Sequence, residues 1–490
     1  MTDSGAVPPR PVGNQPLTAA VSPSPSDGDR SAPVQKLGLA LTLVVAAQFV
    51  LQLDFSIVNV ALPTIQRQLH FSPADLQWIV TGYALTFGSL LLLGGRLGDV
   101  VGRRRLLIGG LVLFALTSLS AGLAQNPLML VVSRFAQGAS AAMVAPMALA
   151  QVTDLYAEGP ARVRALGIFQ GATAAGASTG IVLGGILTEY VGWRAIFLVN
   201  PPIIAVLVVA MVRLLPAHVR TGAAPRLDVP GAVLATVSIA SLIFGLSEGQ
   251  QHGFAAPLTV AALIVAVALG VAFVVVQRRS RSPMVPLKVL GDPTRRVALI
   301  VMVLLGAVVA GYVYFTSLYL QKVLHFSPLL TGLALIPATA TVMIVSVLLT
   351  RRLLARFGTR ALFLAGLLAI GVGQLWLSRI DVGGSYAVNV LGGLVFNAFG
   401  MGLVFPTASV AVTARMGPNE RGLAGGLFAT ALQVGQAVGL AALATIAAAR
   451  TAGAHSLVSG YQLSFDVAVG IVAVAFVTVL LHRHEAEAPA

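Results

Sequence analysis

The 490-residue sequence contains no cysteine, and only 10% of its residues are charged. The absence of cysteine excludes disulfide bonds and thiolate metal sites. The shortage of charge excludes a soluble globular protein, because such a chain carries about 25% charged residues. A chain of this length with so little charge cannot cover itself with a hydrated surface. We therefore expect lipid to form part of its solvent.

Apolar residues make up 57% of the sequence, and its mean hydropathy is +0.89. A helix needs about 20 apolar residues to cross a bilayer, and many separate stretches meet this length. We therefore predict an all-α polytopic membrane protein with fourteen membrane-spanning helices. The predicted spans are residues 38–62, 76–95, 106–124, 127–152, 164–188, 195–212, 230–247, 256–276, 297–320, 330–350, 361–378, 385–413, 422–448 and 464–482.

The basic residues indicate how these spans are oriented. A net charge of +14 would suggest a nucleic-acid partner in a soluble protein, but here the basic residues lie between apolar runs. If the N-terminus is cytoplasmic, the predicted inner segments hold 25 of the 31 lysines and arginines, and the outer loops hold 5. Cytoplasmic loops are enriched in these residues. We therefore expect both termini in the cytoplasm and no nucleic-acid partner.

The two ends of the sequence differ from the rest. Residues 1–37 are rich in proline, serine and glycine and lack an apolar run, which predicts a disordered cytoplasmic tail rather than a cleavable signal peptide. The first span would then act as its own insertion signal. Residues 483–490 are predicted to form a second, short cytoplasmic tail.

Several short motifs recur in the same order in the two halves of the sequence, at offsets of 255 to 260. They are His-Phe-Ser-Pro at 70–73 and 325–328, Gly102 with Gly358, Gln137 with Asn397, and Pro146 with Pro406. Parallel repeats of this kind are typical of one large class of secondary transporters, whose substrate site lies near the membrane midplane between the halves.

The repeat predicts two six-helix bundles with two helices inserted between them. The predicted units are an N-terminal bundle at 38–213, the inserted helices at 214–280, a cytoplasmic linker at 281–296 and a C-terminal bundle at 297–482.

Four segments resemble one known family. The run Gly-Arg-Leu-Gly-Asp-Val-Val-Gly-Arg-Arg-Arg at 95–105 resembles the signature loop of the major facilitator superfamily. The segments at 53–63, 76–83 and 193–201 resemble motifs of its fourteen-helix drug:proton antiporter branch. The resemblance covers essentially the whole chain after residue 37. It implies a major facilitator fold that works by alternating access.

The resemblance also implies a function. It predicts multidrug efflux from a bacterial cell across the cytoplasmic (inner) membrane, with a lipophilic small molecule exported in exchange for protons. The proton gradient would drive transport without a cofactor, and the protein would work as a monomer surrounded by lipid. The sequence shows no P-loop, nucleophile elbow or metal-ligand cluster, so we do not expect an enzyme.

Asp54 and Arg134 are the candidate proton-coupling residues. Asp54 lies well inside the first span, where a charged side chain costs roughly 2.5–3.5 kcal/mol on insertion scales. This cost favours a carboxyl group that exchanges a proton over one that stays ionised, although a structural carboxylate locked to a neighbour is the alternative. The resemblance links Arg134 to proton transfer, and its counterpart in the repeat is the uncharged Leu394.

Gly95, Asp99, Gly102 and Arg103 are predicted to form a conformational latch. Asp99 ends the second span and could accept hydrogen bonds from an arginine, or from the first turn of a neighbouring helix, in one conformation only. The repeat has Ala355 in its place. We therefore expect the proton machinery in the N-terminal half.

Two further sets of residues are candidates for helix movement and substrate contact. Gly176, Gly180, Gly184 and Gly185 share one face of the fifth span, where small residues let helices approach and slide, or simply pack closely. Polar and aromatic residues inside the spans are candidate substrate contacts, although interhelical hydrogen bonding would also explain them. They are Asn59, Trp78, Tyr83, Gln170, Tyr312, Tyr314, Asn397 and Gln433.

Three alternatives to multidrug export remain open at the level of the sequence. Two are transport functions, namely export of one endogenous metabolite such as a self-made antibiotic, and inward proton symport. The third is a membrane receptor or structural protein that transports nothing. Buried charges and a repeat favour transport over this third alternative, because a scaffold needs neither.

Overall fold

The computed structural model describes residues 27–71, 76, 78–215, 228–280, 283, 285, 287–414, 416–417, 420–454 and 456–482. Within these ranges the chain is helical and contains no β-strand. Thirteen of its helices are long and apolar enough to cross a membrane. This agrees with the polytopic membrane protein that the low charge content of the sequence predicts.

These helices are numbered α1 to α13 in chain order. They are α1 (Asp27–Leu69), α2 (Trp78–Val101), α3 (Arg103–Gly122), α4 (Pro127–Leu155), α5 (Pro160–Tyr190), α6 (Ala195–Leu214), α7 (Val229–His252), α8 (Pro257–Arg279), α9 (Pro293–Lys322), α10 (Leu329–Leu377), α11 (Tyr386–Thr413), α12 (Arg421–Ala454) and α13 (Leu457–Leu481).

The difference between thirteen helices and fourteen predicted spans lies in α10. This element is 49 residues long, and its backbone leaves the helical conformation at Gly358, where φ is 75° and ψ is 173°. A left-handed φ is readily adopted only by glycine. The two parts of α10, before and after Gly358, correspond to the separate predicted spans at 330–350 and 361–378.

The backbone repeats the same conformations in the two halves. His70 and His325 both adopt a left-handed φ, 54° and 56°, and they are the only non-glycine residues to do so in the described part of the chain. Gly102 and Gly358 also share a positive φ, 111° and 75°. Such values are uncommon for side-chain-bearing residues, so their recurrence supports the repeat that the motifs predicted.

The long helices form two bundles, α1–α6 and α9–α13, with α7 and α8 between them in sequence. In the first bundle α1 packs on α5, and α4 packs on α2 and α3. In the second, α9 packs on α12, and the part of α10 after Gly358 packs on α11 and α13. Helix α7 lies against both α2 and α12, and α8 packs mainly on α7. The inserted pair therefore lies alongside the α2–α12 contact between the bundles.

Helix α1 begins at Asp27, inside the tail predicted for residues 1–37, and its membrane-crossing part begins at Leu37. Residues 1–26 of that tail and the C-terminal tail at 483–490 lie outside the described residues. Parts of the connection after α6 and of the linker at 281–296 do so as well.

Candidate functional site

Asp54 and Arg134 lie next to each other in the interior of the first bundle. Arg134 Nη1 on α4 donates to Asp54 Oδ2 on α1 over 2.8 Å. The exposed fractions of the two residues are 0% and 1%. A single buried charge would be very costly, whereas a buried pair with further hydrogen bonds is tolerated. The structure therefore brings the two predicted proton-coupling residues into direct contact.

Three neutral polar residues complete the surroundings of the Asp54 carboxylate. Asn200 Nδ2 on α6 donates to Asp54 Oδ1 over 2.6 Å, and Gln137 Nε2 donates to the same oxygen over 3.4 Å. Gln137 Nε2 also donates to Ser118 Oγ over 2.6 Å, and Gln137 Oε1 accepts from Arg134 Nη1 over 2.9 Å. All three are buried, so a polar network joins α1, α3, α4 and α6.

The position of Asn200 follows from its neighbours in the sequence. Two prolines follow it, and proline has no N–H with which to continue a helix. The structure accordingly divides α6 into Ala195–Leu198 and Asn200–Leu214. Asn200 therefore lies at the start of the second segment, where its side chain reaches Asp54.

Arg134 has partners besides Asp54. Its Nε donates to the carbonyl oxygen of Ile79 over 2.9 Å. Its guanidinium carbon lies 4.4 Å from the centre of the Tyr83 ring, a cation–π arrangement. Tyr83 in turn contacts two half-buried rings, Phe55 at 5.6 Å and Phe87 at 5.8 Å between centroids. The Tyr83 ring thus lies between the buried ion pair and these two phenylalanine rings.

The second bundle has a neutral counterpart of this network. Gln374 Nε2 donates to Asn397 Oδ1 over 2.8 Å, and Asn397 Nδ2 donates to the carbonyl of Gly393 over 2.9 Å. Leu394, the counterpart of Arg134, is fully buried in the core. The charge pair is therefore confined to one half. Asn397 is 0% exposed, which favours interhelical hydrogen bonding over the substrate contact predicted for it.

Asp99 contacts both kinds of partner that the sequence suggested. Its Oδ1 accepts from Arg103 Nε and Nη2 over 3.2 and 3.0 Å. The same oxygen accepts from the backbone N–H of Gly422 over 3.1 Å, and Oδ2 accepts from that of Leu423 over 3.1 Å. Gly422 and Leu423 lie in the first turn of α12, where free N–H groups favour a carboxylate. Asp99 thus joins the two bundles.

The charge network continues to a residue that the sequence analysis did not select. Asp154, at the end of α4, accepts from Arg103 Nη1 over 2.6 and 2.7 Å and from Arg421 Nη1 over 2.7 Å. Arg421 begins α12, so this contact also crosses from one bundle to the other. We call Asp99, Arg103, Asp154 and Arg421 the interbundle charge cluster.

The predicted latch glycines have different roles. Gly95 lies against α12 so closely that an added methyl group would be 2.6 Å from the carbonyl oxygen of Gly422. Gly102 has open space around it but adopts a φ of 111°. Gly95 therefore permits the approach of the two bundles, and Gly102 permits the turn between α2 and α3 that places Arg103 beside Asp99.

Three of the four glycines predicted for helix sliding face α1 of their own bundle. Methyl groups added at Gly176 and Gly184 would be 2.7 and 2.6 Å from the carbonyl oxygens of Phe49 and Ile57. At Gly180 the nearest backbone oxygen, that of Leu53, would be 2.5 Å away. Gly185 has ordinary contacts only, at 4.0 Å. This placement favours close packing of α1 on α5.

The glycines of α5 that meet the other bundle most closely are Gly167 and Gly171. A methyl group at Gly167 would overlap the carbonyl oxygen of Ser346, and one at Gly171 would be 3.3 Å from Met343 Cα, both on α10. Ser346 lies in a short π-helical stretch, Val345–Leu349. Small residues at helical spacing indicate a closely packed face, but the spacing does not show which glycines face which helix.

The remaining substrate candidates are scattered. Trp78 is half-buried and stacks between Phe135 and Phe244, at 6.2 and 6.1 Å. Half-buried Gln433 lies against Gly88 of α2. Tyr312 is 5% exposed and Tyr314 is 43% exposed. Asn59 is exposed and donates hydrogen bonds to carbonyl oxygens of its own helix.

Gln170 is the one candidate with a side-chain hydrogen bond to the opposite bundle. Its Nε2 on α5 donates to Ser409 Oγ on α11 over 2.8 Å. It is 8% exposed. Gln170 therefore contributes to the contact between the bundles, and the predicted substrate residues do not converge on one spot in this conformation.

Comparisons with known proteins identify the family. The sequence model of the Major Facilitator Superfamily matches residues 44–440. The chain is 38% identical to the cephamycin export protein CmcT of Amycolatopsis lactamdurans, over 90% of this chain and 92% of that protein. It is 37% identical to the puromycin resistance protein pur8 of Streptomyces alboniger, over 88% of each.

Solved structures show the same fold at low identity. The human organic anion transporter MFSD10 superposes with a TM-score of 0.64 at 19% identity, over 92% of this chain and 99% of that chain. The proton:xylose symporter XylE gives 0.65 at 15% identity, over 91% and 95%. The fold, the repeat and the family match agree: the chain belongs to the major facilitator superfamily and is a multi-pass membrane transporter.

Proposed function

We propose that the chain exports lipophilic small molecules, antibiotics among them, in exchange for protons. It would act as a monomer in the cytoplasmic membrane of a bacterium, with both termini in the cytoplasm and the proton gradient as the only source of energy. The observation that carries the proposal is the buried pair of Asp54 and Arg134, for which the described part of the other bundle has no counterpart. The relatives named for export of, or resistance to, an antibiotic support the substrate class.

Proton uptake by Asp54 would change the charge of this site. With Asp54 ionised, the pair is neutral; with Asp54 protonated, Arg134 leaves a net charge of one. Ile79, Gln137 and Tyr83 hold the guanidinium in both cases. A positive charge in a low-dielectric interior repels a lipophilic cation nearby. Proton uptake and release of a cationic substrate therefore favour each other.

The aromatic residues beside this site suggest where a substrate binds. Tyr83 separates Arg134 from Phe55 and Phe87, whose rings are half-buried. Such rings contribute apolar area, and they attract a cation over their faces. We propose that Phe55 and Phe87, which the sequence analysis did not select, form part of the substrate wall, with Trp78 and Gln433 as further members.

The interbundle charge cluster would act as the latch. Asp99 and Asp154 hold the first turn of α12 only while the bundles are in contact at this end, which the positive charges predict to be the cytoplasmic side. Its separation would open that side. The described arrangement then corresponds to the conformation that is closed to the cytoplasm.

Transport by the purified protein in liposomes tests the proposal. An imposed proton gradient should drive uptake of tetraphenylphosphonium, puromycin or lincomycin by the wild type and by Asp466→Asn, which alters an exposed carboxylate on α13. Asp54→Asn should show no gradient-driven uptake of these compounds. Equal uptake by Asp54→Asn and the wild type would contradict the proposal.

The same assay separates the alternative transport functions. A dedicated exporter, as the name of the cephamycin relative suggests for that protein, would move one compound of a chemically diverse panel. A symporter would move substrate and protons in the same direction. A receptor or scaffold would move neither.

A further inference from the structure

Only the nitrogen of the Asn200 side-chain amide makes hydrogen bonds to the described residues. Its Nδ2 donates to Asp54 Oδ1 over 2.6 Å and to Ser118 Oγ over 3.3 Å. Its Oδ1 is buried and has no hydrogen-bond partner among the described residues. Buried polar atoms are rarely left without a partner, and this one lies beside the carboxylate that is proposed to carry the proton.

A proton that reaches Asp54 needs an acceptor. An ionised carboxylate only accepts hydrogen bonds, whereas a protonated one carries an O–H that must donate. Oδ2 faces Arg134, so the proton is placed on Oδ1. That oxygen is presently approached by two donors, Asn200 Nδ2 and Gln137 Nε2. One of these amides must therefore turn when Asp54 takes up a proton.

Gln137 cannot turn without losing other bonds. Its Oε1 accepts from Arg134 Nη1 over 2.9 Å, and its Nε2 donates to Ser118 Oγ over 2.6 Å. Exchanging the two ends of this amide would place a nitrogen against the guanidinium. Rotation of Asn200 gives up only the donations of Nδ2 to Asp54 Oδ1 and Ser118 Oγ, which are the contacts that its unpartnered Oδ1 would take over.

We propose that Asn200 is a positioning residue that adapts the site to both protonation states of Asp54. While Asp54 is ionised, Asn200 donates to it through Nδ2. When a proton from the aqueous side binds Oδ1, the Asn200 amide rotates, and its Oδ1 accepts from the new Asp54 O–H. The Ser118 hydroxyl, which now accepts from Asn200, then donates to the same amide oxygen.

The rotation would keep the charged groups around Asp54 in place. The titratable or charged side chains that face Asp54 from the neighbouring helices are Arg134 on α4 and Tyr83 on α2. Helix α5 faces α1 with glycines, and α6 contributes Asn200 itself. Arg134 keeps its bonds to Ile79 and Gln137 throughout. The inference rests on the proposal that Asp54 carries the proton.

Infrared difference spectroscopy of the reconstituted protein between alkaline and acidic buffer tests the rotation. The carboxyl C=O band that appears in the wild type and is missing in Asp54→Asn reports protonated Asp54. In Asn200→Leu, which has a similar volume but no amide, we expect this band at higher frequency, because its O–H has lost an acceptor. Gln374→Leu, which removes a buried amide from the other bundle, should leave the band in place.

A second measurement uses the wild-type protein and so does not depend on whether the Asn200 variant folds. The chain contains seven asparagines, and isotope labelling of asparagine marks their side-chain carbonyl bands. We expect one labelled band to move to lower frequency on acidification in the wild type and to stay fixed in Asp54→Asn.

Gradient-driven transport by Asn200→Leu should fall about tenfold or more, as expected when a buried polar group loses its partner.

The outcomes separate the two proposals. If the Asp54 band is present but does not shift in Asn200→Leu, and no asparagine band responds to acid, the inference about Asn200 is wrong while Asp54 remains the proton carrier. If no carboxyl band disappears in Asp54→Asn, Asp54 does not bind the proton, and both proposals fail.

Discussion

Asp54 and Arg134 form a 2.8 Å salt bridge in the core of the first bundle, although 80 positions separate them in the chain. Both are buried, and breaking such a pair by removing one partner costs about 3–5 kcal/mol. An ion pair that served packing alone could be replaced as a whole by two apolar residues at little cost. The presence of the pair in a network with Gln137, Asn200 and Ser118 is the observation on which the proposed proton exchange rests.

Asp99→Ala should loosen the contact between the bundles at the predicted cytoplasmic end. The substitution removes an acceptor from Arg103 and from the N–H groups of Gly422 and Leu423. Spin labels at exposed Val101 and Phe357 should then report a longer or broader distance distribution in pulsed electron paramagnetic resonance. Because the sequence contains no cysteine, cysteines introduced at these two positions are the only sites to which thiol-reactive spin labels attach.

A matched variant gives this measurement its control. Asp466→Ala removes an exposed carboxylate of α13 and should leave the distances as they are in the wild type. An unchanged distribution in Asp99→Ala would mean that Asp99 does not hold the two bundles together.

Gly180→Ala should destabilise the protein by about 1–3 kcal/mol, the usual cost of overpacking a filled interface. The added methyl group would be 2.5 Å from the carbonyl oxygen of Leu53 on α1, and neither backbone can move freely. Gly185→Ala, five residues further along α5 with nothing closer than 4.0 Å, should be nearly neutral. Thermal unfolding in detergent compares them, and equal stability would show that α1 and α5 are not closely packed.

Gly358→Ala should cost about 1–2 kcal/mol, the penalty for a side chain in the left-handed region. The reason is its φ of 75°, since there is open space around it. Gly109→Ala in α3, also in open space but in a regular helix, should be neutral or slightly stabilising. If both variants melt alike, the chain does not break at Gly358.

Much of the fold could be predicted because membrane insertion depends on properties that a sequence displays directly. Hydropathy located the spans, and the alternation of basic residues supported two separate spans on either side of Gly358, where the backbone of α10 leaves the helical conformation. Asp54 stood out for the same reason, since a carboxylate within an apolar span is conspicuous. The repeat was visible because turns need particular residues, such as Gly102 and Gly358.

The rest of the site gave no comparable signal. Asn200 and Ser118 are ordinary residues of membrane helices, and only the folded structure shows that they meet Asp54. Asp154 lies in a loop-proximal position, where charge is expected. The contacts of Gly176 and Gly167 depend on the rotation of α5 about its axis, which helical spacing alone does not determine. Packing between helices, rather than residue type, decided these roles.

Proton release on substrate binding shows whether Asp54 carries the proton that is exchanged for substrate. In weakly buffered detergent solution, adding tetraphenylphosphonium to the protonated wild type or to Asp466→Asn should release protons, which a pH indicator dye detects. Asp54→Asn should release no protons, because the carboxyl group proposed to exchange them is gone. Release of the same amount from Asp54→Asn as from the wild type would contradict this proposal.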